Sequence, residues 1–116
     1  MGRPHYNLDA WREAMGLVKE VYLLTKAFPK EETYGLVSQM RRAAVSIPSN
    51  LAEGAARTSS REFSQFLSIA KGSLSELETQ LLISADLDYL IAQHPVFDQL
   101  EKVARLIAGL HRKVSQ

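Results

Sequence analysis

The sequence lacks cysteine, and its 116 residues include only one tryptophan and three histidines. Without cysteine the chain can form neither a disulfide framework nor a thiolate metal site, and a reducing cytoplasm is the expected compartment. No apolar run approaches the ~18 residues of a membrane span, and residues 1–6 lack the apolar stretch of a signal peptide. We therefore expect a cytoplasmic protein with no membrane partner.

Motifs for catalysis or cofactor binding are also missing. His5, His94 and His111 lie in separate segments, and no histidine pair has the spacing of a zinc or di-iron site. The glycine-rich phosphate loops and the nucleophile elbow are absent as well. Gly72 and Ser73 lie inside a helical pattern, which favours close helix packing over phosphate binding. The sequence thus predicts no catalytic residue, no metal and no cofactor, and hence not an enzyme.

What the sequence has is helical periodicity. Apolar residues recur at steps of three and four in four segments, separated by short connections that carry Pro29, a Ser59–Glu62 capping box and Pro95. We predict helices over about 8–28, 30–56, 60–88 and 95–114, with Asn7 as the first N-cap. Because short connections make sequential helices antiparallel neighbours, the predicted fold is an all-α, up-down antiparallel four-helix bundle forming a single domain, 1–116.

Two features of these segments are specific enough to test. The third helix has the clearest heptad seam, and the first helix has a predicted seam of mixed composition. The predicted seam of the third helix is Phe63, Leu67, Ala70, Leu74, Leu77 and Leu81. The predicted seam of the first helix is Leu8, Trp11, Met15, Val18, Tyr22 and Thr25. Pro48 falls inside the second helix and should kink it, with a break into two helices as the alternative.

The apolar residues exceed the number that four seams require. Phe66, Ile69, Leu82 and Ile83 lie beside the seam of the third helix, and the first and fourth helices carry similar additions. A helix with so wide an apolar face needs more cover than one bundle provides. We therefore expect the chain to self-associate.

Basic residues concentrate in the centre of the chain, although the net charge is only +1. The predicted nucleic-acid contacts are Arg41, Arg42, Arg57, Arg61 and Lys71. Arginine forks match phosphate geometry, and no aromatic residues alternate with these cations, so contacts should be made to the RNA or DNA backbone without sequence specificity. Alternatively, Arg41 or Arg42 pairs with a carboxylate inside one subunit or between subunits.

The centre of the chain resembles a known family. Residues 34–54, with the run SIPSNLAEG at 46–54, are similar to the signature of the bacterial four-helix bundle proteins, also called 23S rRNA intervening-sequence or S23-type proteins. Residues 61–63 and 66–81 resemble the second block of that family. Leu51 and Ser84 are small departures. Alanine and glycine residues in the signature, Gly54 among them, would let a neighbouring helix approach closely.

The resemblance implies a four-helix bundle that assembles into a ring-like homopentamer. A related branch is the accessory variability protein of diversity-generating retroelements, which binds nucleic acid and a reverse transcriptase through a basic surface. The near-neutral charge of this chain argues against that branch. The leading hypothesis is a non-enzymatic homo-oligomer that binds RNA or DNA. The rival is a protein–protein scaffold with no nucleic-acid role, in which the same arginines join subunits or another protein.

Overall fold

The computed structural model describes residues 2–116, so only the first residue of the predicted domain lies outside it. Within that range the chain forms four α-helices and no strand, which confirms the all-α, four-helix prediction. The helices are α1 (Asp9–Thr25), α2 (Leu36–Ala55), α3 (Ser60–Asp86) and α4 (Val96–Val114). No helix in residues 2–116 is both long and apolar enough to cross a bilayer.

Contacts between α2 and α3 show how these two helices run. The Ser46 and Ser73 hydroxyls hydrogen-bond at 2.7 Å, and the Ser84 hydroxyl donates to the Met40 sulfur at 3.5 Å. Moving back along α2 therefore means moving forward along α3, so the two helices are antiparallel. The bundle is elongated, with extents of 43 × 24 × 22 Å.

Helix α4 packs against both α3 and α1. The Ser64 hydroxyl on α3 lies 2.7 Å from Nε2 of His111, near the end of α4. The Gln99 amide, near the start of α4, donates to the Glu13 carbonyl on α1 at 2.9 Å. The first contact places the end of α4 beside the start of α3, and the second places the start of α4 beside α1.

Helix α2 is continuous through Pro48, so the alternative of two separate helices is wrong. Pro48 has no N–H to donate to the Ala44 carbonyl. The Ser49 and Asn50 side chains donate to the next two carbonyls, those of Val45 and Ser46, each at 2.8 Å. Both bonds reach back four residues and so add side-chain contacts to the helix directly after the proline. The kink at Pro48 stays a prediction.

The start of α2 differs from the prediction. Lys30–Glu32 forms a separate 3-10 turn, and α2 begins at Leu36 rather than near residue 30. Glu32 nevertheless caps the helix, because its Oε1 accepts from the Leu36 N–H at 3.3 Å. Its Oε2 accepts from the Tyr89 hydroxyl at 2.9 Å, and this bond raises the pKa of Tyr89.

Both ends of α1 also differ from the prediction, since the helix runs over Asp9–Thr25 rather than about 8–28. Asn7 belongs to the 3-10 turn Pro4–Asn7, and Leu8 is the N-cap residue of α1, without a side-chain cap. The predicted cap at the start of α3 is confirmed, because the Glu62 N–H donates to the Ser59 hydroxyl at 3.2 Å. The Glu62 carboxylate accepts from that hydroxyl at 3.1 Å rather than from the Ser59 N–H that a full capping box uses.

The predicted seam of α3 is confirmed from Leu67 to Leu81, with Phe63 half-buried against the core. The predicted seam of α1 is right at Thr25 but wrong at Met15 and Tyr22, which are exposed. Leu67, Ala70, Leu74, Leu77 and Leu81 are all buried. On α1 the buried positions are Ala10, Ala14, Leu17, Val21 and Thr25. The small alanines occupy the seam because helices can approach closely over them, while the larger Met15 and Tyr22 lie on the exposed flank.

Two glycines show where helices approach most closely. A Cβ on Gly54 would lie 2.8 Å from Cβ of Phe66 and 2.9 Å from Cδ1 of Phe63, so α2 and α3 are in close contact there. A Cβ on Gly72 would meet no atom within 4 Å. The expectation that Gly72 serves close packing inside the bundle is therefore wrong, and Gly54 is the glycine that does so.

Candidate nucleic-acid interface

The five predicted contact residues lie at three different places. Arg41 and Arg42 line a groove between α1 and α2. Arg57 lies in the α2–α3 connection, over the ring of Phe66 on α3. Arg61 and Lys71 line clefts between α3 and α4. The sequence cluster is therefore not one patch on the folded chain.

Arg41 is held by neutral groups of α1. Its Nε–H donates to the Thr25 hydroxyl at 3.0 Å, and its guanidinium carbon lies 4.5 Å from the ring centre of Tyr22. Neither Arg41 nor the exposed Arg42 takes part in an ion pair within residues 2–116. Arg41 is thus a fixed cation, and Arg42 extends beside it into solvent.

Arg57 is exposed but already has partners. Its Nη2 lies 3.3 Å from the Glu53 carboxylate one turn earlier, and its guanidinium stacks 4.9 Å from the ring centre of Phe66. The carboxylate offsets part of its positive potential. An exposed pair of this kind stabilises a helix by only about 0.3–0.5 kcal/mol, so it can open at little cost.

Arg61 and Lys71 converge with Arg112 on one surface. Arg61 lines a cleft of about 420 Å³ between the start of α3 and the end of α4. Lys71 and Arg112 line a cleft of about 260 Å³, and both clefts share Ser115. No ion pair within residues 2–116 involves any of these three cations. We call Arg61, Lys71 and Arg112 the α3/α4 basic surface.

His111 fixes the two helices that carry this surface. Its Nε2 lies 2.7 Å from the Ser64 hydroxyl, which joins the end of α4 to the first turns of α3. Burial lowers the pKa of His111, and the nearby positive charge of Lys71 lowers it further. A neutral imidazole therefore joins the two helices of the basic surface at pH 7.

Arg112 is the member of this surface that sequence reasoning missed. It lies 41 positions after Lys71 in the chain, far outside the central basic cluster. The available signal was the last segment, in which four basic residues follow Glu101 without another acid. Antiparallel packing of α4 on α3 brings that segment back beside Arg61.

Charged side chains lie at both ends of the bundle. The α3/α4 basic surface lies toward the end where α3 begins and α4 finishes. The opposite end, where α3 finishes and α4 begins, carries the exposed Asp86, Asp88 and Asp98. The exposed cations Lys26 and Lys30 also lie at this opposite end, and Arg42 follows on the first turns of α2, so charges of both signs are present there.

Comparison with known proteins identifies the family. Within residues 2–116 no group of three or more His, Asp or Glu side chains is placed to hold a metal ion. A search of curated proteins finds no match. The family model described as "23S rRNA-intervening sequence protein" matches residues 6–109, which include Arg61 and Lys71 but not Arg112. Because the match covers most of the chain and all but the last residues of the bundle, this protein belongs to the 23S rRNA-intervening sequence protein family.

Proposed function

We propose that the protein is a non-enzymatic, cytoplasmic homo-oligomer that binds the RNA or DNA backbone through its α3/α4 basic surface. The observation that carries this proposal is the convergence of Arg61, Lys71 and Arg112 on two adjoining clefts without a carboxylate partner. Cations that are free of internal pairs can exchange mobile counterions for phosphates without first breaking a protein contact.

Such binding depends on salt and ignores base sequence. Each phosphate neutralised by a lysine or arginine releases condensed counterions, so the logarithm of the affinity falls linearly with the logarithm of salt concentration. Three cations per chain give weak binding. Repetition of the surface around a ring, such as the homopentamer that the family resemblance implies, would raise the overall affinity by multivalency.

An outward face of α3 supports self-association. Ile69 and Ile83 are 50% and 44% exposed, and Gly72 lies between them with open space beyond its Cα. A glycine in a helix costs up to about 1 kcal/mol relative to alanine, and nothing within the chain requires one at this position. A neighbouring subunit that approaches closely would explain both the glycine and the exposed isoleucines.

The experiment that tests nucleic-acid binding is a salt titration of short RNA and DNA duplexes. We expect Lys71→Gln to reduce the slope of log affinity against log salt by about 1, and Arg61→Gln/Lys71→Gln to reduce it by about 2. Lys19→Gln is the matched control, since it removes an exposed lysine from α1 and should leave the slope unchanged. Equal slopes in the wild type and the double variant would refute the proposed surface.

Light scattering on the same samples tests self-association. We expect a mass that is a multiple of 13.0 kDa for the wild type and a loss of assembly in Ile69→Asp. Ile91→Asp is the control, because Ile91 is 64% exposed in the α3–α4 connection and away from this face. Assembly without any nucleic-acid binding would favour the scaffold function, for which the exposed face of α3 is the supporting observation.

A further inference from the structure

We propose that the groove between α1 and α2 binds an unpaired base of a single-stranded nucleic acid, with the base stacked on Tyr34 and the adjoining phosphate on Arg42. This inference rests on the proposed nucleic-acid binding and names the strand form that the protein prefers. The groove has a volume of about 490 Å³, and its lining includes Tyr22, Tyr34, Ser38, Arg41 and Arg42.

Tyr34 is the most exposed aromatic side chain in the described residues. Its exposed fraction is 96%, and it lies in the turn that precedes α2. The side chain therefore contributes almost no packing to the bundle, and its ring faces are open to water. Aromatic side chains in this situation are the stacking platforms of single-strand-binding proteins, because every base has a flat face that can cover them.

The opposite wall of the groove is rigid and basic. Arg41 bonds to Thr25 at 3.0 Å, and its guanidinium covers the ring of Tyr22 at 4.5 Å. The bond and the stack together hold the Arg41 guanidinium against α1. Arg42 is the next residue, exposed and free of ion pairs within residues 2–116, and its guanidinium can donate two parallel hydrogen bonds to one phosphate.

The combination of rings and cations selects single strands. In a duplex the base faces are stacked on one another, so a duplex offers Tyr34 no surface and presents only phosphates. The α3/α4 basic surface contacts phosphates in either form. The α1/α2 groove is therefore the part of the protein that would distinguish single-stranded from double-stranded nucleic acid. It also supplies the pairing of aromatic and basic residues that is absent from the linear sequence.

The test compares a short polyuridine with a duplex of equal phosphate count by fluorescence anisotropy. We expect Tyr34→Ala to weaken binding of the single strand by at least about fivefold and to change duplex binding by less than about twofold. Tyr34→Phe keeps the ring and should bind like the wild type. Because Tyr34 is almost fully exposed, both variants should retain the helical circular dichroism of the wild type.

The outcomes separate this inference from the proposed function. If the wild type binds strand and duplex with the same salt dependence and Tyr34→Ala alters neither, the base-binding groove is refuted while backbone binding stands. If Tyr34→Ala changes the subunit count instead, the groove is a subunit contact and the inference is overturned. Absence of any binding by the wild type would refute both. Loss of duplex binding in Arg61→Gln/Lys71→Gln, together with a selective loss of single-strand binding in Tyr34→Ala, would support both surfaces.

Discussion

Replacing Gly54 by alanine tests how closely α2 and α3 pack. The new Cβ would lie 2.8 Å from Cβ of Phe66 and 2.9 Å from Cδ1 of Phe63, well inside the optimal carbon–carbon separation of about 3.5–4.0 Å. The Cβ of Phe66 is attached directly to the α3 backbone, so a change of rotamer cannot relieve the clash. The helices must instead move apart.

The magnitude follows from two opposing effects. Overpacking of a well-packed contact costs about 1–3 kcal/mol, and replacement of a helical glycine by alanine gains up to about 1 kcal/mol. Gly109→Ala isolates the second effect, because the nearest atom to a Cβ there is Nη2 of Arg112 at 3.8 Å. We expect Gly109→Ala to raise the free energy of unfolding by about 0.5–1 kcal/mol, and Gly54→Ala to lie about 1–3 kcal/mol below it.

The assay is urea unfolding followed by far-UV circular dichroism, at equal protein concentration for all three proteins. A parallel thermal scan should separate the two variants by roughly 4–12 °C, since each kcal/mol shifts Tm by about 4 °C in a domain of this size. The proteins must also share one denaturant slope if only stability has changed. If Gly54→Ala were as stable as Gly109→Ala, α2 and α3 would not be in the close contact described above.

Two further perturbations test the helix cap and the histidine brace. Ser59→Ala removes the hydroxyl that caps α3 and should lower the free energy of unfolding by about 1 kcal/mol. Ser60→Ala, one residue later, is the control and should have little effect. Equal losses in urea unfolding for the two variants would contradict the cap. His111 has a lowered pKa in the folded chain, so the unfolded chain binds its proton first and wild-type stability should fall as pH drops through about 6.5. His111→Gln should flatten that decline above about pH 5.5, where carboxylates stay ionised, and an unchanged slope would show that another group causes it.

The sequence predicted the fold best where large apolar residues alone define a seam. Leu67, Leu74 and Leu81 left no alternative register for α3, and all three are buried. In α1 the same reasoning failed, because Ala10 and Ala14 lie on the true seam and side-chain size points to the wrong flank. Periodicity measures which residues are apolar, whereas the distance between two helices decides how large a buried residue can be.

The candidate interface was harder to predict, because it depends on which helix ends meet. Arg61 and Lys71 were identified from local charge, but Arg112 joins them only through antiparallel packing of α4 on α3. The grouping of Tyr34 with Arg42 was within reach of the sequence, because positions seven or eight apart share one face of a helix. The predicted helix from residue 30 would have placed both on that face, and the observed turn also leaves Tyr34 beside the groove that Arg42 lines.

Glu32 has a consequence for how the bundle folds. One of its oxygens caps the first turn of α2, and the other is held by Tyr89 from the connection between α3 and α4. The ring of Tyr89 also packs 5.2 Å from that of Phe28, just ahead of Glu32. Initiation of the second helix is therefore tied to a contact 57 residues away, so that end of the molecule should gain its order in one cooperative step, with hydrogen exchange at both connections reporting the same opening event.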